Sequence, residues 1–111
     1  MMNEKQKMRI ANYLGLAQRA GKIAAGDMLA KNALINGRAE MLILADDAAE
    51  KVKEELLAIA KECVPVLSWP TKAELGYIVG KSPRGALALL DNGFAKAIKK
   101  VCDEQPGSPE P

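Results

Sequence analysis

The chain contains no histidine. That removes the commonest general base and the commonest metal ligand, and with them every Ser-His or Cys-His nucleophile pair. Aromatic residues make up only 4% of the 111 residues, whereas platforms that stack single-stranded nucleic acid need more aromatic faces. The two cysteines, Cys63 and Cys102, lie far apart with no CxxC spacing. Without histidine beside them they argue against a zinc site and read as reduced, buried thiols of a cytosolic protein. No apolar run approaches the roughly 20 residues a membrane helix needs. The first seven residues are polar and hold no hydrophobic signal core. The expectations are a cytoplasmic location, no membrane association, no metal, no cofactor and no catalysis.

What is present is mostly small and aliphatic. Hydrophobic residues make up 49% of the chain, enough to rule out disorder for most of it. The length suits one domain that folds without a disulfide or a metal. The net charge of +2 is unevenly spread. Residues 1–38 carry +5, residues 39–67 carry −4, residues 68–102 carry +4 and the last nine carry −3. Two basic segments that met in space would make a face able to hold phosphates, while a plain solvated surface explains the same charges equally well.

Apolar periodicity predicts alternating helices and strands. Ile10, Leu14 and Ala17 recur at helical spacing between Lys7 and Ala20, and Gly21 stops that helix. Lys22 to Ala25 fits an edge strand. A second helix starts at Gly26-Asp27 with Asp27 as its cap, places Leu29 and Ala33 on one face, and ends at Gly37. Met41 to Ala45 is a continuous apolar run that fits a buried central strand. Asp47 and Glu50 have capping-box spacing before a helix that carries Val52, Leu56, Ile59 and Cys63 on one side. Val64 to Trp69 fits a strand, and Thr71 with Glu74 caps a short helix ending near Gly80. After the loop Lys81 to Gly85, Ala86 to Leu90 fits another strand. Asp91 caps a last helix with Phe94, Ile98 and Val101 inward and Lys96, Lys99 and Lys100 outward. The pattern predicts an α/β fold, a three-layer α/β/α sandwich around a small mixed or mainly parallel sheet. One domain over residues 1–102 and a disordered acidic tail over residues 103–111 are expected.

Few segments offer chemistry. Asp46 and Asp47 follow an apolar strand, where two carboxylates can hold Mg²⁺. The simpler and favoured reading has Asp47 capping a helix and Asp46 facing water. The glycines of GKIAAG, residues 21–26, are spaced loosely like a phosphate loop, but no Gly-Lys-Ser/Thr follows, so a P-loop is rejected. The helix start at Gly26-Asp27 still offers free backbone N–H groups to a phosphate or a base edge. Lys22, Lys31 and Asn32 lie nearby in sequence. Lys81, Arg84 and Gly85 form a second contact loop, in which Gly85 permits close backbone approach and Arg84 can pair with phosphate or stack on a base. Each of these segments also reads as an ordinary turn with solvated charges.

Taken in order, LGLAQRAGKIAAGD (14–27), AEMLILADDA (39–48), VPV (64–66), KAELGYIVGK (72–81) and ALALLDNGFAKAI (86–98) resemble the kink-turn-binding ribosomal proteins, and among them the small bacterial YlxQ-like members. The resemblance covers nearly all of the chain except the tail. It implies an α/β/α sandwich that binds RNA at a sharp internal bend, with a site built from the start of the second helix and the loop before the last strand. The family pattern there is a glycine, an Asn-Glu pair, then a lysine three residues after the Glu. Gly26 matches the glycine. Met28 and Leu29 fall in the places of Asn and Glu, which would hydrogen-bond sheared G·A pairs, and bacterial relatives often carry Leu in the Glu position. Asn32 falls in the place of the lysine, with Lys31 one residue early.

The function these readings imply is binding of structured RNA, kink-turn-like or ribosomal, by a non-catalytic, ribosome-associated protein. The expected contacts are Lys22, Gly26, Asp27, Lys31, Asn32, Lys81, Arg84 and Gly85. A monomer is expected, with a ribosomal or other protein as a further partner. The alternative is a protein-interaction module on the same fold that has lost kink-turn recognition. Its mark would be joint exposure of Met28 and Leu29 as an apolar patch.

Overall fold

Asn3 opens the first helix, α1 (Glu4–Arg19). Its side chain accepts the Gln6 backbone N–H at 2.9 Å, and the Gln6 side chain accepts the Asn3 N–H at 2.9 Å. This reciprocal capping box starts the helix three residues before the position that apolar periodicity alone suggested. The computed structural model describes residues 2–104. After α1 the chain forms β1 (Ile23–Ala25), α2 (Asp27–Ile35), β2 (Met41–Ala45) and α3 (Glu50–Ala60). It continues through β3 (Val66–Trp69), α4 (Lys72–Ile78), β4 (Ala86–Leu89) and α5 (Asn92–Asp103).

The four strands form one sheet in the order β1-β4-β2-β3. β4 runs antiparallel to both β1 and β2, and only β2 and β3 are parallel. The sheet is therefore mixed rather than mainly parallel. β1 lies at an edge as expected, and β2 is buried along its whole length. The antiparallel pairings place the C-terminal ends of β1, β2 and β3 at the same end of the sheet as the start of β4.

Five helices cover the two faces. α1, α4 and α5 pack over a core that includes Ile10, Leu14, Trp69, Leu75, Leu87 and Ile98. α2 and α3 pack over Ala30, Ala33, Leu34, Leu42, Leu44, Leu56 and Ala88. The result is the expected three-layer sandwich. Gln6 ties the two ends of the chain together: its side-chain amide donates to the carbonyls of Val101 at 3.0 Å and Glu104 at 2.8 Å.

Several local expectations change. Asp47 does not cap α3. Ala49 is the residue before that helix, and no side chain caps it. A turn separates Asp47 from Glu50, so its carboxylate instead accepts the backbone N–H of Lys72, the first residue of α4, at 2.8 Å. Asp27 is the first residue of α2 and Gly26 occupies the cap position. Leu29 does not share the buried face of α2, which consists of Ala30, Ala33 and Leu34. Cys63 is exposed in the turn after α3, and Cys102 is only partly covered. Burial pushes the Cys102 thiol above its ordinary pKa, and the Asp103 carboxylate adds to the effect. Asp103 ends α5 and Glu104 follows it, so the folded part runs past residue 102. The rest of the expected disordered tail, residues 105–111, lies outside the described residues.

Thr71 and Asp91 cap as expected: Thr71 Oγ1 accepts the Glu74 N–H at 3.1 Å, and Asp91 Oδ2 accepts the Phe94 N–H at 2.9 Å. Among the described residues, no helix is long and apolar enough to cross a membrane.

Candidate nucleic-acid interface

Gly26 and Gly85 are 59 residues apart in sequence and adjacent in space. β1 pairs with β4 so that Ala25 faces Leu87, and the Gly26 N–H donates to the Ala86 carbonyl at 2.9 Å. The start of α2 therefore lies against the loop before β4. A Cβ placed on Gly26 would sit 3.7 Å from Arg84 Cδ, and one on Gly85 would sit 2.9 Å from Asp27 Oδ1. The two glycine-marked segments form one continuous surface.

Gly26 has φ 119° and ψ 159°, a region that side-chain-bearing residues avoid. It turns the chain from strand into helix without a capping side chain. The backbone N–H groups of Asp27, Met28 and Leu29 consequently have no partner among the described residues. Three donors converge at the positive end of a helix dipole, where phosphate oxygens or base edges bind well.

The facing loop is held in place from behind. The Arg84 N–H donates to the Lys72 carbonyl at 3.0 Å, and the Lys81 N–H donates to the Gly76 carbonyl at 2.8 Å. The Arg84 guanidinium folds back on its own loop, donating to Ser82 Oγ at 2.6 Å, the Ser82 carbonyl at 3.0 Å and the Pro83 carbonyl at 3.3 Å. This contact fixes the side chain beside Gly26. Gly76, inside α4, is decisive here: a Cβ on it would collide with the Ser82 carbonyl oxygen and sit 2.8 Å from Pro83 Cα. Only glycine lets the helix and the loop approach this closely.

The expected contact residues are not all together. Gly26, Asp27 and Arg84 form the centre, Gly85 lies beneath them and is buried against Asp27 and Ala48, and exposed Lys81 lies on the adjoining loop. Lys31 turns toward α3, where its ammonium pairs with Glu55 at 3.1 Å. Asn32 is exposed and lies one helical turn beyond Met28 on the same face. Helix register thus gives Asn32, not Lys31, the outward direction. Lys22 lies apart from the rest. Its carbonyl accepts the Leu90 N–H at the opposite end of the sheet, about 13 Å of extended strand from Gly26.

Sequence reasoning missed Lys72 and Gly76, which together set the position of the 81–85 loop. The available signal was a glycine inside a helical pattern, which often marks close packing. The basic segments also meet differently from the expectation. Much of their charge lies on α1 and α5, which pack side by side in the other layer. At the α2 surface, Arg84 and Lys31 sit with the acidic Asp27 and Glu55, while Asp46 lines a hollow with Glu4 and Lys7.

The profile of the ribosomal protein L7Ae/L30e/S12e/Gadd45 family matches residues 8–99. The chain belongs to this family. Among L7Ae/L30e-type sequences, it is 34% identical to the RNA-binding protein YlxQ of Enterococcus faecium, over 92% of this chain and 99% of that protein. It is 32% identical to the RNA-binding protein YlxQ of Bacillus subtilis, over 81% and 91% of the two chains. The large ribosomal subunit protein eL30 of Methanosarcina mazei is 33% identical over 80% of this chain and 85% of its own. The L7Ae-type architecture also recurs in solved structures. A protein of unknown function from Bacillus halodurans superposes with a TM-score of 0.79 at 30% identity, covering 86% of this chain and 97% of that one. A Giardia lamblia 15.5kD RNA binding protein shares the fold at a TM-score of 0.73 and 22% identity, covering 91% and 88%.

Proposed function

We propose that this protein binds structured RNA, of the kink-turn or ribosomal kind, on the surface formed by the start of α2 and the 81–85 loop. The observation that carries the reading is the juxtaposition of Gly26 and Gly85. It combines three unpartnered backbone donors with a fixed arginine on one surface. Such a surface suits a folded RNA read through backbone shape and a few polar contacts. The names of the YlxQ and eL30 relatives support the same reading. Met28 and Leu29 cannot reproduce the hydrogen bonds of an Asn-Glu pair, so discrimination of the bend rests on the backbone donors, Asn32 and Arg84. The protein works as a binding module without catalysis.

The test is a gel shift with a labelled kink-turn RNA and an unbent control of equal length, at several salt concentrations. Preferential binding of the bent RNA is expected. Equal binding of both RNAs with a steep loss in salt would reduce the interaction to phosphate attraction.

One observation favours a second reading. Met28 is 69% exposed and Leu29 56% exposed, which leaves an apolar patch where RNA would lie. A protein partner on this patch is the alternative, and absence of binding to either RNA would select it.

A further inference from the structure

Away from the α2 surface, α1 and α4 enclose an apolar groove. One part of it, about 430 Å³, is lined by Met8, Ala73, Tyr77 and Ile78 with Trp69 among them. Lys7 closes one side, its ammonium 5.6 Å from the Trp69 ring centre and 3.5 Å from Glu74. The groove continues along α1 past Gly15 and Leu16 to Arg19. Three large apolar side chains stand open here: Met8 at 65%, Leu16 at 47% and Tyr77 at 86%.

The charges along this stripe are arranged in opposite senses at its two ends. Glu4, Met8, Ala11, Gly15 and Arg19 follow one another at helical spacing along α1. The acidic end and the basic end are about 22 Å apart. Among the described residues, neither the Glu4 nor the Arg19 side chain has a hydrogen-bond or ion-pair partner, whereas Lys7 pairs with Glu74 and Lys99 with Asp103. The Arg19 guanidinium lies along the stripe, with Nη1 3.9 Å from where a Gly15 Cβ would be.

We infer that this groove is occupied by a second copy of the same chain, with the two α1 helices antiparallel about a two-fold axis near Ala11 and Asn12. That axis sets Glu4 of each copy opposite Arg19 of the other and forms the same ion pair twice, as an isologous interface requires. A parallel arrangement would oppose Glu4 to Glu4 and Arg19 to Arg19. In the antiparallel register each Leu16 lies across from Lys7 and Met8, so it enters the other copy's hollow beside Trp69 and Tyr77. Ala11 and Gly15, small residues near the axis, let the two backbones come close. The groove lies in the layer opposite α2, so the proposed RNA surface stays open in both copies. An interface one helix long is smaller than the usual ~800 Å² per partner, so the dimer is weak and concentration-dependent.

The test is sedimentation velocity on the full chain, freed of nucleic acid, from about 1 μM to about 1 mM. It compares wild type with Glu4→Arg, Arg19→Glu and the double variant. A dimer is expected whose dissociation constant rises at least about fivefold in each single variant and returns to within about twofold of wild type in the double variant. The double variant carries an unfavourable charge at both ends of α1, so its recovery cannot come from a more stable monomer, and a thermal melt of each variant verifies folding. A monomer throughout the range would overturn the inference. So would a dimer indifferent to the single reversals, or a double variant no better than the singles; either would place the contact elsewhere or assign the groove to a different protein.

Discussion

Between the sheet and α2–α3, seven of the eleven buried core residues are alanine. Between the sheet and α1, α4 and α5, only five of sixteen are, and Trp69, Met41, Ile10, Ile43 and several leucines fill the space. The small-residue side lets α2 lie close to β1 and β4, which brings Gly26 against Arg84. The other side of α2 carries Met28, Leu29 and Ile35, and all three are exposed. The large-residue side has the greater apolar area to withdraw from water and contributes more to stability. One layer thus presents a surface and the other anchors the fold.

The sharpest way to break this contrast is at Trp69, which is 2% exposed. Trp69→Ala is expected to lower the unfolding free energy by about 3–5 kcal/mol, measured by urea denaturation. Trp69→Phe should cost far less, because the indole N–H is buried without a partner among the described residues and its removal strands nothing.

Gly76→Ala tests how the two layers communicate. The new methyl would meet the Ser82 carbonyl, so the loop must move. A loss of about 1–3 kcal/mol is expected from overpacking, with weaker RNA binding in the same variant. Unchanged RNA affinity would separate the loop from the RNA site.

Smaller effects belong to the surface itself. Arg84→Ala should weaken RNA binding by about 1–3 kcal/mol if the arginine contacts a base edge, with relaxed preference for the bent RNA. Lys31→Ala should do less, since its ammonium is already engaged by Glu55. The expected result is a salt slope shallower by at most about one unit. Titrations across a salt series distinguish the two.

The smallest effect is predicted for Met28→Ala and Leu29→Ala, which should change stability by no more than about 0.5 kcal/mol because both side chains are already in water. A loss several times larger in urea would show that the α2 layer contributes more to the fold than its packing indicates.

Much of the fold was legible along the chain. The periodicity at Ile10, Leu14 and Ala17, the run at 41–45 and the caps at Thr71 and Asp91 each act within a few residues, so local sequence carries them. Two cap assignments went astray for one reason. Asp27 and Asp47 have the right residue type, but the turn before each helix decides which residue occupies the cap position. The candidate site was legible as two segments and not as a surface. Its assembly depends on the pairing of β1 with β4, a contact between distant parts of the chain. Lys22 is near Gly26 in sequence, but the strand between them carries it to the far end of the sheet.

By itself, the sequence determined the class of the molecule. Alternating periodicities require helices on a sheet, the absence of histidine removes acid–base and nucleophile chemistry built on that residue, and the scarcity of aromatics argues against a stacking platform for single strands. Tertiary structure alone decided which residues meet. Sheet order and register set Gly26 beside Arg84, the packing of α2 on α3 set Lys31 beside Glu55, and the packing of α4 brought Gly76 beneath the 82–83 backbone. Side-chain identity is a local property, whereas register and close approach depend on segments dozens of residues apart.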